Sequence, residues 1–270
     1  MILIRVLRFL IRLVLLVLLL IIGLFFTGFI FPLLKQSQRE SIIKAWSKLL
    51  ILVLGVKVRV EGSPIQQGAV MLVANHVSWI DIFILNSCRT TAFVAKKEIK
   101  DWPVVGRLVA QAGTIFVDRS SRSAMRGVNQ ELDIRYAKGM CTGLFPEGTT
   151  SDGLSVKSFF GGLLEAPLKA QVPIQPVAIL LYFKGERSGY PSFIGDETLV
   201  HNIWVLLSNF GISVTVRYLQ PLSGEGINRV EAAQHCYEQI KAEVERDVVI
   251  VSDVVMDSAT SAGDADSQNL

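Results

Sequence analysis

Cysteine is scarce: Cys88, Cys141 and Cys236 are the only three in 270 residues, too few and too far apart for a disulfide framework or a cysteine-rich zinc motif. That usage suits a reducing compartment. Histidine is equally sparse, and His76, His201 and His235 lie far from one another, so no metal centre is expected. His201 and His235 read as surface or structural residues. No Gly-x-Ser-x-Gly segment occurs, which leaves out the nucleophile elbow of a serine hydrolase. The net charge of +3 is modest, and no long basic stripe interleaved with aromatics marks a nucleic-acid surface. Internal repeats are absent too. No small-x-small cleavage site follows the apolar amino-terminal run, and that run is too long for a cleaved signal peptide.

The run itself is the largest feature of the composition. Positions 13–34 hold 22 residues without a charge, which as a helix reach roughly 33 Å against a hydrocarbon core of about 30 Å. Arg5, Arg8 and Arg12 precede it, and Lys35, Arg39, Lys44 and Lys48 follow it. With positive charge on both flanks, the positive-inside rule selects no orientation. A second apolar segment at 42–54 carries Trp46 near its start. A helix pair dipping into one leaflet keeps both ends on one side and turns its basic flanks to anionic lipid. Residues 1–54 are therefore expected to form a two-helix anchor, monotopic on the cytoplasmic face of an inner membrane, with a single span as the alternative.

Beyond the anchor, roughly 200 residues remain, the size of one α/β domain. Apolar strand candidates at 56–60, 69–74, 92–95, 115–117, 143–145, 174–182 and 213–218 alternate with helical stretches at 79–86, 103–111, 123–138, 159–170 and 228–246. The alternation predicts a mixed, mainly parallel sheet covered by helices over residues 55–250. Residues 251–270 are expected to be a mostly disordered tail, on the Ser, Ala, Asp and Gly content of 257–270.

Asn75-His76-Val77-Ser78-Trp79-Ile80-Asp81 follows one of these strands directly. Residues five apart on one α-helix point about 140° away from each other. For His76 to touch Asp81, the histidine must lie in the turn and the aspartate on the first helical turns. Ser78 fits the N-cap, with Asp81 in the Glu position of a capping box. The pair then reads equally as a catalytic dyad or as an ordinary helix start. Pro146-Glu147-Gly148-Thr149-Thr150-Ser151 occupies the same kind of strand end, and turn chemistry explains Pro146 and Gly148 but not the acid. His76, Arg119 and Glu147 all fall just past carboxyl ends of strand candidates, where open α/β sheets place their sites.

Taken together, NHVSWID and FPEGTTS resemble the first and third motifs of the glycerolipid acyltransferases. Residues 113–119, GTIFVDR, resemble the second motif, and 172–178, VPIQPVA, the fourth, in the family's order. The resemblance implies that His76 is the general base on an acceptor hydroxyl and that Asp81 orients it. It implies further that Arg119 binds the acceptor's anionic head group, that Glu147, Gly148 and Thr149 shape the acceptor and oxyanion region, and that Pro173 lies in the acyl-binding wall. No cofactor is implied. The resemblance implies acyl-CoA or an acylated carrier protein as co-substrate and 1-acylglycerol-3-phosphate as the expected acceptor. Thr150 departs from the pattern, because phosphatidic-acid-forming members commonly carry Arg there as a second phosphate clamp. Thr in that place, and Phe193-Ile194-Gly195-Asp196-Glu197-Thr198-Leu199 further on, resemble the lyso-ornithine lipid acyltransferases. An esterase using the same pair on water, and a non-catalytic lipid-binding protein, are the readings from other classes.

Overall fold

The computed structural model describes residues 2–118, 122–223 and 226–263. Helix α1 (Ile2–Phe25) continues through a π-helical turn, Phe26–Ile30, and a 3₁₀ turn, Phe31–Leu33. Helix α2 (Gln36–Leu54) then ends on Gly55, whose φ of 73° closes the helix in the left-handed conformation that glycine accepts without strain. Next come β1 (Val56–Gly62), β2 (Val70–Ala74), α3 (Asp81–Cys88), β3 (Ala92–Lys96), α4 (Val105–Gln111) and β4 (Ile115–Val117). Helix α5 (Arg122–Ala137), β5 (Cys141–Leu144), α6 (Glu165–Lys169), β6 (Ile174–Phe183), β7 (Glu186–Arg187), α7 (Leu199–Ser208), β8 (Ile212–Tyr218) and α8 (Arg229–Gly263) complete the order.

The strands form one mixed, mostly parallel sheet in the order β1-β8-β6-β2-β5-β3-β4, with β7 pairing on β6. Strand β8 is antiparallel to β6, while the β1–β8, β6–β2, β2–β5, β5–β3 and β3–β4 pairs are parallel. The period of two along the strands divides the core between the faces. Leu72, Ala74, Val177, Ile179 and Leu181 pack beneath the helices α1, α2, α3 and α7. Met71, Val73, Ala178 and Leu180 pack against α5, α6 and α8. The carboxyl ends of β2, β3, β4 and β5 therefore open along one edge of the sheet.

Three expectations change here. The amino terminus supplies one apolar helical unit long enough to cross a membrane, Ile2–Leu33, rather than two. Helix α2 is amphipathic and belongs to the domain: Ser47, Leu50, Ile51 and Leu54 are buried, and Leu49 and Leu52 remain exposed. Helix α1 lies along the domain rather than standing off it. Arg8 donates to the Ser208 carbonyl (2.9 Å) and Arg12 to that of Asn209 (2.7 Å), so two arginines cap the carboxyl end of α7. Further along, Trp46 Nε1 donates to the Leu19 carbonyl at 3.0 Å.

Helix α7 has no counterpart among the sequence candidates. Of its two buried polar residues, Asn202 and Ser208, the asparagine is satisfied by donating to the Ser192 carbonyl (2.7 Å) and accepting from Trp79 Nε1 (2.9 Å). Lastly, α8 runs on to Gly263, past the expected start of the tail at 251. No Gly or Pro interrupts 229–262 to stop it, and 264–270 lie outside the described residues.

Candidate active site

Strand β2 ends at Ala74, and Asn75 ties that end to β6. Its amide donates to the Ile179 carbonyl (3.0 Å) while its oxygen accepts from the Ile179 N–H (2.7 Å). The turn that follows presents His76, whose Nδ1 lies 2.7 Å from Asp81 Oδ2. That same oxygen accepts the Val77 N–H (2.7 Å) and the Ser78 N–H (2.9 Å). Asp81 thus reaches back from the first residue of α3 to hold the turn before it, and no side chain, that of Ser78 included, caps the helix. The Ser78 hydroxyl is buried and makes no hydrogen bond, which does not suit a nucleophile. Asp81 is fully buried, and the imidazole is 19% exposed. With Nδ1 committed to Asp81, Nε2 is the ring nitrogen left for a substrate hydroxyl.

Phe145 lies flat against the imidazole, with centroids 4.1 Å apart and planes 13° from parallel. Phe93 stacks behind Phe145 at 5.2 Å. Neither aromatic was a sequence candidate. Phe145 heads the FPEG segment, but nothing in a single sequence says which way its ring faces.

Glu147 was expected to shape the acceptor region. It is buried, and one carboxylate oxygen accepts the His76 N–H (2.7 Å) while the other accepts the Lys157 N–H (3.0 Å). Its role in the structure is to tie the FPEG turn to the histidine turn. Burial raises its pKa above the ordinary carboxylate range, against the two N–H bonds and the nearby His76, which lower it. Ser151 completes the tie, its N–H donating to the His76 carbonyl at 2.8 Å. Gly148 makes the turn possible with φ at 73°, and Thr149 is exposed on its rim. The Thr150 hydroxyl donates to the Phe193 carbonyl, and the Thr150 carbonyl accepts from Lys157 Nζ (2.8 Å).

Two candidates do not join this cluster. Arg119 lies outside the described residues. Pro173 sits at the opposite end of the sheet: its carbonyl accepts from Met71 N–H at the start of β2 (3.0 Å), roughly 15 Å of strand from His76. A proline there opens β6 without costing a ladder donor, which accounts for its position. An apolar recess exists elsewhere, between α1 and the outer side of α3 and α4, lined by Phe26, Trp46, Ile82, Phe83 and Leu108. Among the described residues, no group of three or more His, Cys, Asp or Glu side chains could hold a metal ion.

A turn-borne imidazole backed by a buried carboxylate suits proton abstraction from a hydroxyl. Comparison with known proteins agrees. The acyltransferase family model matches residues 57–180. A lyso-ornithine lipid O-acyltransferase of Pseudomonas aeruginosa is 36% identical over 203 residues, covering 75% of this chain and 78% of that one. The chain belongs to the acyltransferase family. A 1-acyl-sn-glycerol-3-phosphate acyltransferase of Neisseria gonorrhoeae is 31% identical over 218 residues, covering 80% and 85%. The crystal structure of the 1-acyl-sn-glycerophosphate acyltransferase of Thermotoga maritima superposes with a TM-score of 0.65 at 26% identity, over 88% of this chain and 97% of that one. This acyltransferase therefore shares both fold and family with enzymes that acylate lysolipids.

Proposed function

We propose that this acyltransferase moves a fatty acyl chain from an acyl thioester to the free hydroxyl of a lyso-ornithine lipid. The observation that carries the chemistry is the 2.7 Å contact of His76 Nδ1 with buried Asp81, which points Nε2 outward. Nε2 takes the proton of the acceptor hydroxyl as its oxygen attacks the thioester carbonyl. The tetrahedral intermediate then collapses, the carbon–sulfur bond breaks, and the leaving thiolate takes the proton back from the imidazolium. No acyl-enzyme forms. Because thioesters are already activated, a positioned base worth roughly 100- to 10,000-fold supplies a large part of the rate.

Thr150 supports this acceptor over a lysophosphatidate. Its hydroxyl is committed to the Phe193 carbonyl, and Lys157 brings one ammonium to the same turn. Among the described residues of this turn one cation is present, which suits the single carboxylate of an amino-acid head group, whereas a phosphomonoester dianion calls for a stronger clamp. The second reading, 1-acylglycerol-3-phosphate, draws on the Neisseria and Thermotoga relatives.

Purified enzyme given acyl-CoA or acylated carrier protein and a panel of lysolipids tests both readings. Lyso-ornithine lipid is expected to give the highest kcat/KM, and His76→Ala to abolish turnover. A preference for lysophosphatidate would select the second acceptor. Full activity in His76→Ala would remove the mechanism.

The anchoring that suits such a substrate is monotopic, on the membrane face where the thioester donor is available. The exposed apolar side of α1 enters one leaflet while its arginines stay on the carboxyl end of α7.

A further inference from the structure

The loop between β3 and α4 carries an exposed apolar tip on a strained backbone. Val104 has φ 64° and ψ −60°, a positive-φ γ-turn conformation that a β-branched residue adopts only under constraint, and the Val105 N–H closes it by donating to the Pro103 carbonyl at 2.6 Å. Trp102 and Val104 are 41% and 40% exposed at this tip, with Pro103 exposed between them. Strain held at an exposed aromatic tip points from the backbone to a use for that tip.

The loop is built rather than loose. The Trp102 carbonyl accepts the Gly106 N–H (3.0 Å), the Val104 carbonyl accepts the Leu108 N–H (3.1 Å), and the Trp102 N–H donates to the Ile99 carbonyl (3.2 Å). A Cβ on Gly106 would come within 2.3 Å of the Lys100 carbonyl oxygen, so the close fold-back of the loop on α4 depends on that glycine.

Two further observations say what the tip faces. The first is continuity with the apolar helix. Leu108, one helical turn beyond Val104, packs so closely on α1 that a Cβ on Gly23 would lie 3.1 Å from its Cδ2. Beyond that contact α1 exposes Phe25 (52%) and Phe29 (69%). The second is charge. Lys96, Lys97 and Lys100 precede the tip and Arg107 follows it, all exposed, against Glu98 and Asp101; Lys97 also faces Asp118 at 4.0 Å. A tryptophan beside an apolar residue, flanked by a basic excess, is the chemistry of an interfacial segment on anionic lipid.

We propose that the Trp102–Val104 tip is a second point of membrane insertion, one that seats the carboxyl edge of the sheet against a bilayer containing anionic lipid. Helix α1 fixes the molecule to the leaflet, and the tip sets its tilt. The His76 turn is then held at the head-group level, where a lysolipid hydroxyl lies, and the acceptor reaches Nε2 without leaving the interface. The inference rests on the reading of α1 as a membrane anchor.

The test uses the full-length protein with a single environment-sensitive fluorophore on an introduced cysteine, bound to vesicles of neutral and anionic phospholipid containing nitroxide-labelled acyl chains. The native Cys141 and Cys236 are buried, and Cys88 is replaced by serine. Probes are placed at Val104→Cys, at Leu18→Cys on the exposed side of α1, and at Gln234→Cys on α8, across the sheet. Quenching at 104 and 18 but not at 234 is the expected result, with the quenching at 104 reduced when Trp102→Ser is added. Quenching at 18 alone overturns the tip while leaving the anchor in place. Quenching at neither position overturns both.

Discussion

Asp81 Oδ2 collects three N–H groups, two from the backbone and one from the imidazole, while its Oδ1 is buried without a partner. An asparagine can present its oxygen to the same three donors, so Asp81→Asn is expected to keep the turn and the ring orientation. It loses the charge that stabilises the imidazolium, and kcat should fall roughly 100-fold or more. Asp81→Ala should lose the turn as well, measured as a lower melting temperature beside the loss of turnover. Glu147 makes a different prediction. With its folded-state pKa above the ordinary 4.5, unfolding releases its proton, so its contribution is present below that value and is lost as pH rises through the folded pKa. Urea unfolding across that range should show wild type losing stability relative to Glu147→Gln as pH increases. An increasing advantage for wild type would mean that the two N–H bonds outweigh burial. At the acceptor, Thr150→Arg should raise kcat/KM for lysophosphatidate by about tenfold, read from the same acceptor panel. The histidine and aspartate were legible in sequence because their spacing and the strand before them define the turn. The burial of Glu147 was not, since an acid in a Pro-x-Gly turn is ordinarily exposed and only the folded contact with His76 shows otherwise.

The site is held at the level of elements by a stack running from β3 through β5 to the histidine turn. Gly143 in β5 gives Phe93 its space: a Cβ there would meet the Phe93 ring at 2.4 Å and Thr91 Cγ2 at 2.8 Å. Gly143→Ala must therefore displace Phe93, whose ring stacks on Phe145 and through it bears on the imidazole. Overpacking of this kind costs about 1–3 kcal/mol, and the variant should show both a lower melting temperature and weakened activity with purified substrates. Loss of stability with unchanged kcat would show that the aromatic stack does not set the ring's position. The strands of this frame were legible from their apolar runs, within a few residues at each end. Helix α7 was not: Leu199–Ser208 sets His201 and Asn202 within a mostly apolar run, and the asparagine is buried because Ser192 and Trp79 satisfy it. Pro173 lies apart from the histidine turn for a related reason. Its motif marks where β6 begins, and parallel register puts that beginning beside Met71, at the far end from the chemistry.

The anchor concerns the molecule as a whole. Arg8 and Arg12 hold one end of α1 to the carboxyl end of α7, and Trp46 and Leu108 hold the region of residues 19–23 to α2 and α4. Those contacts span about 15 residues, roughly 22 Å of helix, so a membrane-crossing α1 would drag α7 and its polar carboxyl end into the hydrocarbon. Unpaired backbone carbonyls and guanidinium groups cost several kcal/mol each there. A helix lying in one leaflet would avoid that cost, because the arginines would stay on the domain side while the exposed Leu7, Leu18 and Ile21 would face lipid. Sequence alone left this open, since charge flanks the run on both sides and only the folded contacts show that the leading arginines are already engaged. Reconstitution with the catalytic domain outside the vesicle decides the matter. An amino-terminal affinity tag should bind its antibody without detergent, at the same level as a tag on the domain. Binding that appears only after detergent permeabilisation would establish a span, and would require α1 to leave α7 when the protein enters the membrane.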